Sequence, residues 1–270
     1  MCKTTVSSTF TSVYGPVTSW RYGRSLGIDP IGATSTCSFN CVYCQLGEIE
    51  QMRGDRDLFV PTSQIQQELA VFSPWDVDII TLSGSGEPTL ARNLGEIIVM
   101  VKQMTHKPVG VLTNGTLLAD PQVKAELALA DLIAVKVDAV DGDRYRRINR
   151  PVESLNLEAL WAALASFRQI YTGRLGIQTM ILSPWSDREQ AEYIRLMQQI
   201  QPDEIQLNTP TRPKPLTHQL DARGNHTLDD REYPTRSLKP VSLETLKAFG
   251  DRVSQETQIP VRYPTPQGDN

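Results

Sequence analysis

Residues 77–88 run Val77-Asp78-Ile79-Ile80-Thr81-Leu82-Ser83-Gly84-Ser85-Gly86-Glu87-Pro88. The β-branched run from Val77 to Thr81 predicts a buried strand, and it stops in a glycine-rich turn that carries one carboxylate. The same strand-then-polar-turn pattern recurs downstream. Val109-Gly-Val-Leu-Thr113 ends in Asn114-Gly115, Leu132 to Lys136 runs up to Asp138, Leu175 to Leu182 contains Gln178, and Glu204 to Thr209 contains Gln206 and Asn208. Between these runs lie helical patterns: Pro61 to Phe72 with Thr62 or Ser63 as N-cap, Leu94 to Met104, Leu157 to Tyr171, and a helix capped by Ser186 or Asp187 that runs to about Ile200. Strand and helix alternate about six times, the signature of a parallel sheet that is either open or curled into a barrel. Polar residues gather at the C-terminal end of each strand, where βα barrels build their sites. Six strands are fewer than the roughly eight of a full barrel, so the expected fold is α/β, a partial (βα)6 barrel open on one side.

Upstream of the first such turn lies Cys37-Ser38-Phe39-Asn40-Cys41-Val42-Tyr43-Cys44. A [4Fe–4S] cluster normally takes four thiolates, and this run offers only three. Zinc would also want four ligands, and His106, His218 and His226 are all distant in sequence. A cluster on Cys37, Cys41 and Cys44 would keep one iron open to a ligand from solution. A zinc knuckle, or cysteines packed as small hydrophobes, would use the same residues without that chemistry.

The Cys-x3-Cys-x2-Cys run, with aromatic Tyr43 before its last thiol, resembles the radical S-adenosylmethionine (SAM) superfamily. The resemblance implies a [4Fe–4S] cluster held by Cys37, Cys41 and Cys44. It also implies SAM chelated on the open iron and cleaved reductively to methionine and a 5′-deoxyadenosyl radical that takes hydrogen from a substrate. In that family a Gly-Gly-Glu-like turn after the second strand receives the methionine amino group. Here Gly84-Ser85-Gly86-Glu87 is a close variant, which places Gly84, Gly86 and Glu87 beside the cofactor. Thr113-Asn114-Gly115 lies near the cofactor in similar sequences, although a plain turn also explains the Asn-Gly pair. The family's core is itself a partial barrel, and the resemblance spans most of the chain.

Length and composition agree with one large α/β unit. The chain has 270 residues, 40% apolar and 21% charged, with net charge −4. No apolar run approaches the ~18 residues of a membrane span, and Met1 to Ser8 lack the apolar stretch of a signal peptide. Four cysteines, three of them clustered, suit a metal site in a reducing compartment rather than a disulfide frame. The expectation is a cytoplasmic protein without a membrane partner. Three segments are expected: 1–35 packed on the core, 36–209 as the partial barrel, and 210–270 as a long loop and a helix over Val241 to Gln255 capped by Ser242. Ser25 to Ile28 is a candidate strand leading to the cysteine loop, and Pro260 to Pro264 one more extended piece.

Several side chains have a functional and a plain reading. Lys136 and Asp138 share one face of a strand, where they either form a satisfied ion pair or meet SAM or substrate; they are the catalytic candidates. Gln178, with Gln206 and Asn208, would line the cavity, and Arg212 could grip a carboxylate or phosphate. Arg21 and Arg24 sit in an N-terminal stretch that is either a solvated loop or a cap over the cluster, with an arginine able to hold an anion bidentately. Arg144, Arg146, Arg147 and Arg150 could contact phosphate, or form a solvated helix face balanced by Asp141 and Asp143.

Taken together, Tyr14-Gly-Pro-Val, Arg24-Ser-Leu-Gly, the cysteine run, Ser83-Gly-Ser-Gly-Glu-Pro-Thr, Thr113-Asn-Gly-Thr-Leu and Asn208-Thr-Pro-Thr-Arg-Pro look like the compact Fe–S oxidoreductases related to the wyosine tRNA-modifying enzymes. Those enzymes use further cysteines for a second cluster, whereas this chain has only Cys2 besides the motif. Cys2, near the terminus, is read as an idle thiol. Three functions follow: a radical SAM enzyme on an unidentified substrate, fed by an electron donor such as flavodoxin or ferredoxin; an RNA-modifying version acting on tRNA through the arginine cluster and the 211–240 loop; and a non-catalytic Fe–S or zinc protein.

Overall fold

The computed structural model describes residues 10–223 and 233–264. In chain order the elements are β1 (Val13–Ser19), β2 (Gly23–Ile28), β3 (Thr36–Cys37), β4 (Gln51–Met52), α1 (Thr62–Ala70), β5 (Ile79–Leu82), α2 (Leu94–Thr105), β6 (Val109–Thr113), α3 (Pro121–Leu127) and β7 (Leu132–Lys136). Then follow α4 (Gly142–Ile148), α5 (Leu157–Ile170), β8 (Arg174–Met180), α6 (Asp187–Ile200), β9 (Glu204–Asn208), β10 (Lys214–Pro215), β11 (Thr235–Arg236), α7 (Leu243–Thr257) and β12 (Val261–Arg262). Eight strands form one curled sheet in the order β1-β2-β5-β6-β7-β8-β9-β12. Only β1 runs antiparallel to its neighbour.

The alternation of each strand sorts its side chains between two environments. Ile80, Leu82, Val111, Ile133, Val135, Ile177, Ile205 and Leu207 pack with Leu94, Ile97, Ile98, Val101, Leu164 and Tyr193 of the surrounding helices in the main core. Full burial of each aliphatic chain is worth about 1.5–3 kcal/mol. The alternate positions Thr81, Leu112, Lys136 and Gln178 line a cavity of about 1080 Å³ inside the curl. Register places Lys136 opposite Gln178 and Gln178 opposite Gln206, so three polar side chains share one rung of the sheet.

The parallel strands β2, β5, β6, β7, β8 and β9 are the six of the expected partial barrel, and β12 adds a short seventh beside β9. β1 was not foreseen. Its ladder with β2 shifts register between Tyr14 and Val17, at Gly15-Pro16, which breaks the period that sequence reading relies on. Helix α1 starts one residue earlier than a Thr62 or Ser63 cap would set it. Pro61 holds the extended N-cap position, and the Thr62 hydroxyl accepts from Asn93 Nδ2 at 2.9 Å instead. Ser186 caps α6 through a full capping box with Glu189, and Asp187 is the first helical residue. Helix α7 lies two residues further along than expected, capped by Ser242, which accepts from the Thr245 amide at 3.1 Å.

The lower mouth of the curl is tied across its open side. Arg262 of β12 donates to the carbonyls of Trp20 (2.6 Å) and Arg21 (3.2 Å) in the β1–β2 turn. The upper mouth carries the cysteine loop.

Candidate functional site

The cysteine loop leaves the C-terminal end of β2 and is held from below by α4. The Asn40 amide donates to the Asn149 carbonyl at 3.0 Å and the Val42 amide to the Ile148 carbonyl at 2.9 Å, so the last carbonyls of that helix find partners in the loop. Phe39, 3% exposed, anchors the loop by inserting among Tyr145, Leu157 and Leu160. Its ring meets that of Tyr145 edge-on at 5.5 Å. The short β3–β4 ladder pairs Thr36 with Gln51 and Cys37 with Met52. Cys41 is buried, Cys37 and Cys44 are half-buried, and all three open on the cavity.

Each of two thiols also has a nitrogen donor in place. The Phe39 amide and Asn114 Nδ2 lie 3.4 and 3.6 Å from Cys37 Sγ. Asn149 Nδ2 lies 3.5 Å from Cys41 Sγ. Donors of this kind stabilise a metal-bound thiolate and tune a cluster's potential. Without a metal the environment favours the thiol: burial pushes Cys37 and Cys44 up and raises Cys41 to about 12, while Lys136 pulls Cys41 and Cys44 the other way. Deprotonation is therefore coupled to metal binding.

The donor set suits a cluster better than a single ion. A tetrahedral zinc bound at about 2.3 Å would draw its sulfurs together, and among the described residues no three Cys, His, Asp or Glu side chains converge to hold one metal ion. Thiolates that each take a different iron of a [4Fe–4S] cubane need no such convergence. His218 turns Nδ1 to Glu50 at 3.1 Å.

Behind the thiols, the turn after β5 is fixed by two close approaches. A Cβ on Gly86 would stand 1.7 Å from the Thr36 carbonyl oxygen, and one on Gly84, at φ +149°, would stand 2.3 Å from Asp29 Cγ. Glycine is thus required for the turn to lie against the cysteine loop. Glu87, 2% exposed, accepts from the Thr89 amide (3.1 Å), the Thr89 hydroxyl (2.7 Å), the Thr113 hydroxyl (2.5 Å) and the Asn114 amide (2.7 Å). Burial pushes its carboxyl up, against the pull of these donors. Three of the four bonds fall on Oε1 and one on Oε2, so Oε2 keeps an acceptor position for a further donor. Asn114 extends the chain of contacts to the loop, donating to Ser38 Oγ at 2.8 Å.

Of the two catalytic candidates, Lys136 lines the cavity and Asp138 stands behind Tyr43. They do not pair with each other. The Lys136 ammonium lies 5.0 Å from the Tyr43 ring centroid. The Asp138 carboxylate accepts from the Tyr43 hydroxyl, from Asn149 Nδ2 (2.7 Å) and from the Met180 amide (2.8 Å). The sequence alternative of a mutual ion pair is replaced by a shared grip on one aromatic ring. Gln178 donates to Gln206 Oε1 at 3.0 Å and to the Tyr22 hydroxyl at 3.1 Å, forming a polar floor. Arg212 reaches Gln45 Oε1 at 3.2 Å beside Cys44.

The structure thus brings Cys37, Cys41, Tyr43, Cys44, Gly84, Gly86, Glu87, Asn114, Lys136, Gln178 and Arg212 to one cavity, with Asp138 just outside it. The basic cluster does not join them. Arg144 pairs with Glu189 at 2.6 Å and Arg146 with Asp143 at 2.6 Å. Arg146 fits the balanced helix face, whereas Arg144 is largely buried against Glu189 of α6 and Asp141 accepts from the Arg144 amide instead of balancing a charge. The 211–240 loop falls partly, and Cys2 wholly, outside the described residues.

Sequence reading missed three positioning groups. Asn149 links Cys41 to Asp138. Lys214, 6% exposed, donates to the Cys41 carbonyl (3.3 Å) and to Glu48 (2.7 Å). Asp29, fully buried, accepts from the Ile31 and Gly32 amides, from Ser85 and, at 2.9 Å, from Arg223. Asp29 directly follows β2 and marks a strand end as the other polar turns do; Asn149 and Lys214 carried no comparable signal.

Residues 31–197, more than half of the chain, match the Radical SAM superfamily. The chain belongs to the radical SAM superfamily. A UPF0026 protein of Synechocystis sp. is 55% identical over 260 residues, covering 95% of this chain and 97% of its own length. A UPF0026 protein of Methanocaldococcus jannaschii is 33% identical over 209 residues, covering 75% of this chain and 64% of the relative. Among solved structures, Streptococcus suis SuiB bound to its precursor peptide SuiA superposes with a TM-score of 0.63 at 14% identity. That match covers 89% of this chain and 48% of SuiB. A radical SAM methyltransferase of Sphaerobacter thermophilus superposes with a TM-score of 0.58 at 17% identity, over 90% of this chain and 67% of the other. At these identities the likeness is one of fold: the curled sheet is the superfamily's partial barrel. Membership implies a [4Fe–4S] cluster and SAM, and the three-thiol loop above the cavity fits them.

Proposed function

We propose that the protein is an enzyme that cleaves SAM reductively and directs the resulting radical at a substrate held inside the curled sheet. The observation that carries this reading is the convergence of three thiols, the Glu87 turn and Asn114 on one large cavity. When bound, the cluster and SAM supply a one-electron cleavage that yields methionine and a 5′-deoxyadenosyl radical.

The chain's own residues hold and shield that chemistry. Cys37, Cys41 and Cys44 would each hold one iron of the cluster, and the loop offers no fourth thiol, which would leave a place for SAM. Glu87 keeps Oε2 ready to accept from the SAM ammonium while its other bonds fix the turn. Asn114 and Asn149 support the thiolates, Tyr43 with Lys136 and Asp138 walls the cavity near Cys41 and Cys44, and Gln178 belongs to the polar floor. The electron comes from a flavodoxin- or ferredoxin-like donor.

The test is anaerobic reconstitution with iron and sulfide, then dithionite and SAM, with 5′-deoxyadenosine followed by chromatography. Production by the wild type and not by Cys41→Ala supports the reading. A cluster that forms but never cleaves SAM, or zinc retained after anaerobic purification, overturns it.

A further inference from the structure

Arg21 and Arg24 lie three residues apart, and the fold gives them opposite surroundings. Arg24 is on the outside, half exposed and paired with Asp76. Arg21 lines the cavity, its guanidinium carbon 4.7 Å from the centroid of the Trp20 ring. Its Nε is buried and meets no acceptor, and no carboxylate pairs with it among the described ion pairs. A half-buried guanidinium whose Nε lacks an acceptor among the described residues is an unfavourable arrangement in a closed core; facing a ligand cavity, it is a prepared site.

The charge of the lining points the same way. Among the described lining residues, Arg21, Lys136, Arg212 and Arg223 face the cavity with one carboxylate, Glu87, although the chain as a whole has net charge −4. Lys136 lies against Tyr43, Arg223 is engaged by Asp29, and nearby Arg262 by Glu204 and two carbonyls. Around Arg21 itself, burial and then the neighbouring Arg212 and Arg262 pull its pKa down, against Tyr22 and Tyr43. Each of these effects is relieved by an anion. A cleft in which one sign of charge predominates also concentrates ligands of the other.

We propose that Arg21 anchors an oxyanion group, carboxylate or phosphate, of the substrate, so that the substrate class is an anionic small molecule held by its acidic end on the Trp20–Arg21 turn. The planar fork suits two oxygens of such a group at once, and Trp20 holds the guanidinium plane in place. Calling this anion the substrate rests on the function proposed above; its binding does not, since it needs neither cluster reduction nor SAM turnover.

The experiment is isothermal titration calorimetry of the reconstituted protein with inorganic phosphate, pyrophosphate and succinate, each with and without saturating SAM. Wild type and Arg24→Gln should bind at least one probe saturably with one site per chain. Arg21→Gln should weaken that binding by about tenfold to a hundredfold, the usual loss of a hydrogen bond to a charged group, with Arg21→Lys between the two. A preference for phosphate probes over succinate identifies the acidic group. Equal binding by wild type and Arg21→Gln, or no saturable binding of any probe, overturns the proposal. So does displacement of the anion by SAM, which would assign Arg21 to the carboxylate of SAM itself.

Discussion

The Glu87 carboxylate accepts from the Asn114 amide at 2.7 Å and so joins the turn after β5 to the turn after β6. With Thr89 and Thr113 it closes a buried set of four donors on one side chain. Glu87→Ala leaves those donors without an acceptor, at about 1–3 kcal/mol for each group that water does not reach. We expect a loss of roughly 3 kcal/mol or more in urea denaturation, together with loss of SAM binding. A loss below about 1 kcal/mol would show that the turn stands without its carboxylate.

Gly86 and Gly54 offer a paired test of the backbone. A Cβ at Gly86 collides with the Thr36 carbonyl, whereas one at Gly54 has only Val152 Cγ2 at 3.9 Å as a neighbour. We expect Gly86→Ala to push the turn off the cysteine loop, lower iron incorporation and cost about 1–3 kcal/mol or more. Gly54→Ala should change neither. Equal iron content in the two variants would contradict the close packing of turn and loop.

Asp138 holds Tyr43 and Asn149 together, and Asn149 reaches Cys41. Asp138→Ala should therefore act on the cluster at second hand. We expect about 2–4 kcal/mol of destabilisation from the stranded donors and an altered electron paramagnetic resonance signal of the reduced cluster. An unchanged signal would confine Asp138 to a structural role.

Glu68 carries a pH dependence distant from the cavity. Burial alone would raise its carboxyl, but donors from Ser12, Gln64 and Val13 outweigh it and hold the group below its ordinary value of 4.5. A depressed folded pKa contributes stability that is fully present above the unfolded value and is lost as pH falls through the folded one. Wild type should thus lose melting temperature below about pH 4.5 more steeply than Glu68→Gln, and the two should converge in acid. Parallel curves would show that Ser12 does not grip Glu68 in solution.

Arg223 fastens the segment after β9 to the barrel through buried Asp29 at 2.9 Å, with the Phe10 and Tyr14 rings on either flank. Arg223→Met leaves Asp29 its four remaining bonds to Ile31, Gly32 and Ser85. Global stability should fall modestly, while hydrogen exchange over residues 214–223 quickens by an order of magnitude or more. Unchanged exchange there would assign the hold to Lys214 instead.

The repeating strands and their polar ends were legible because they obey a period: Ile79 to Leu82 and Leu132 to Lys136 are apolar runs that stop at Gly84 and Asp138. The three thiols were legible because their spacing is local. What could not be seen was contact between distant segments. Nothing in Asn149 announces that its amide meets Cys41, and nothing in Lys214 that its ammonium reaches the Cys41 carbonyl. Lys136 and Asp138 were expected on one strand face, but β7 stops at Lys136, and Asp138 falls beyond its end, where its partners depend on Tyr43 arriving from another loop. β1 escaped because Gly15-Pro16 interrupts the alternation that would have revealed it.

The short strand β12 matters for what the sheet does not do. An open curl of parallel strands offers a rim of unpaired backbone to any extended chain that meets it. Here the β12 edge of that rim is two residues long at Val261–Arg262, against the seven of β1 at the other edge, and the Arg262 side chain turns its donors inward to the Trp20 and Arg21 carbonyls. The same side chain that narrows the gap beside Arg21 also blunts the sheet as a template. On that side an added strand would find only two residues to pair with.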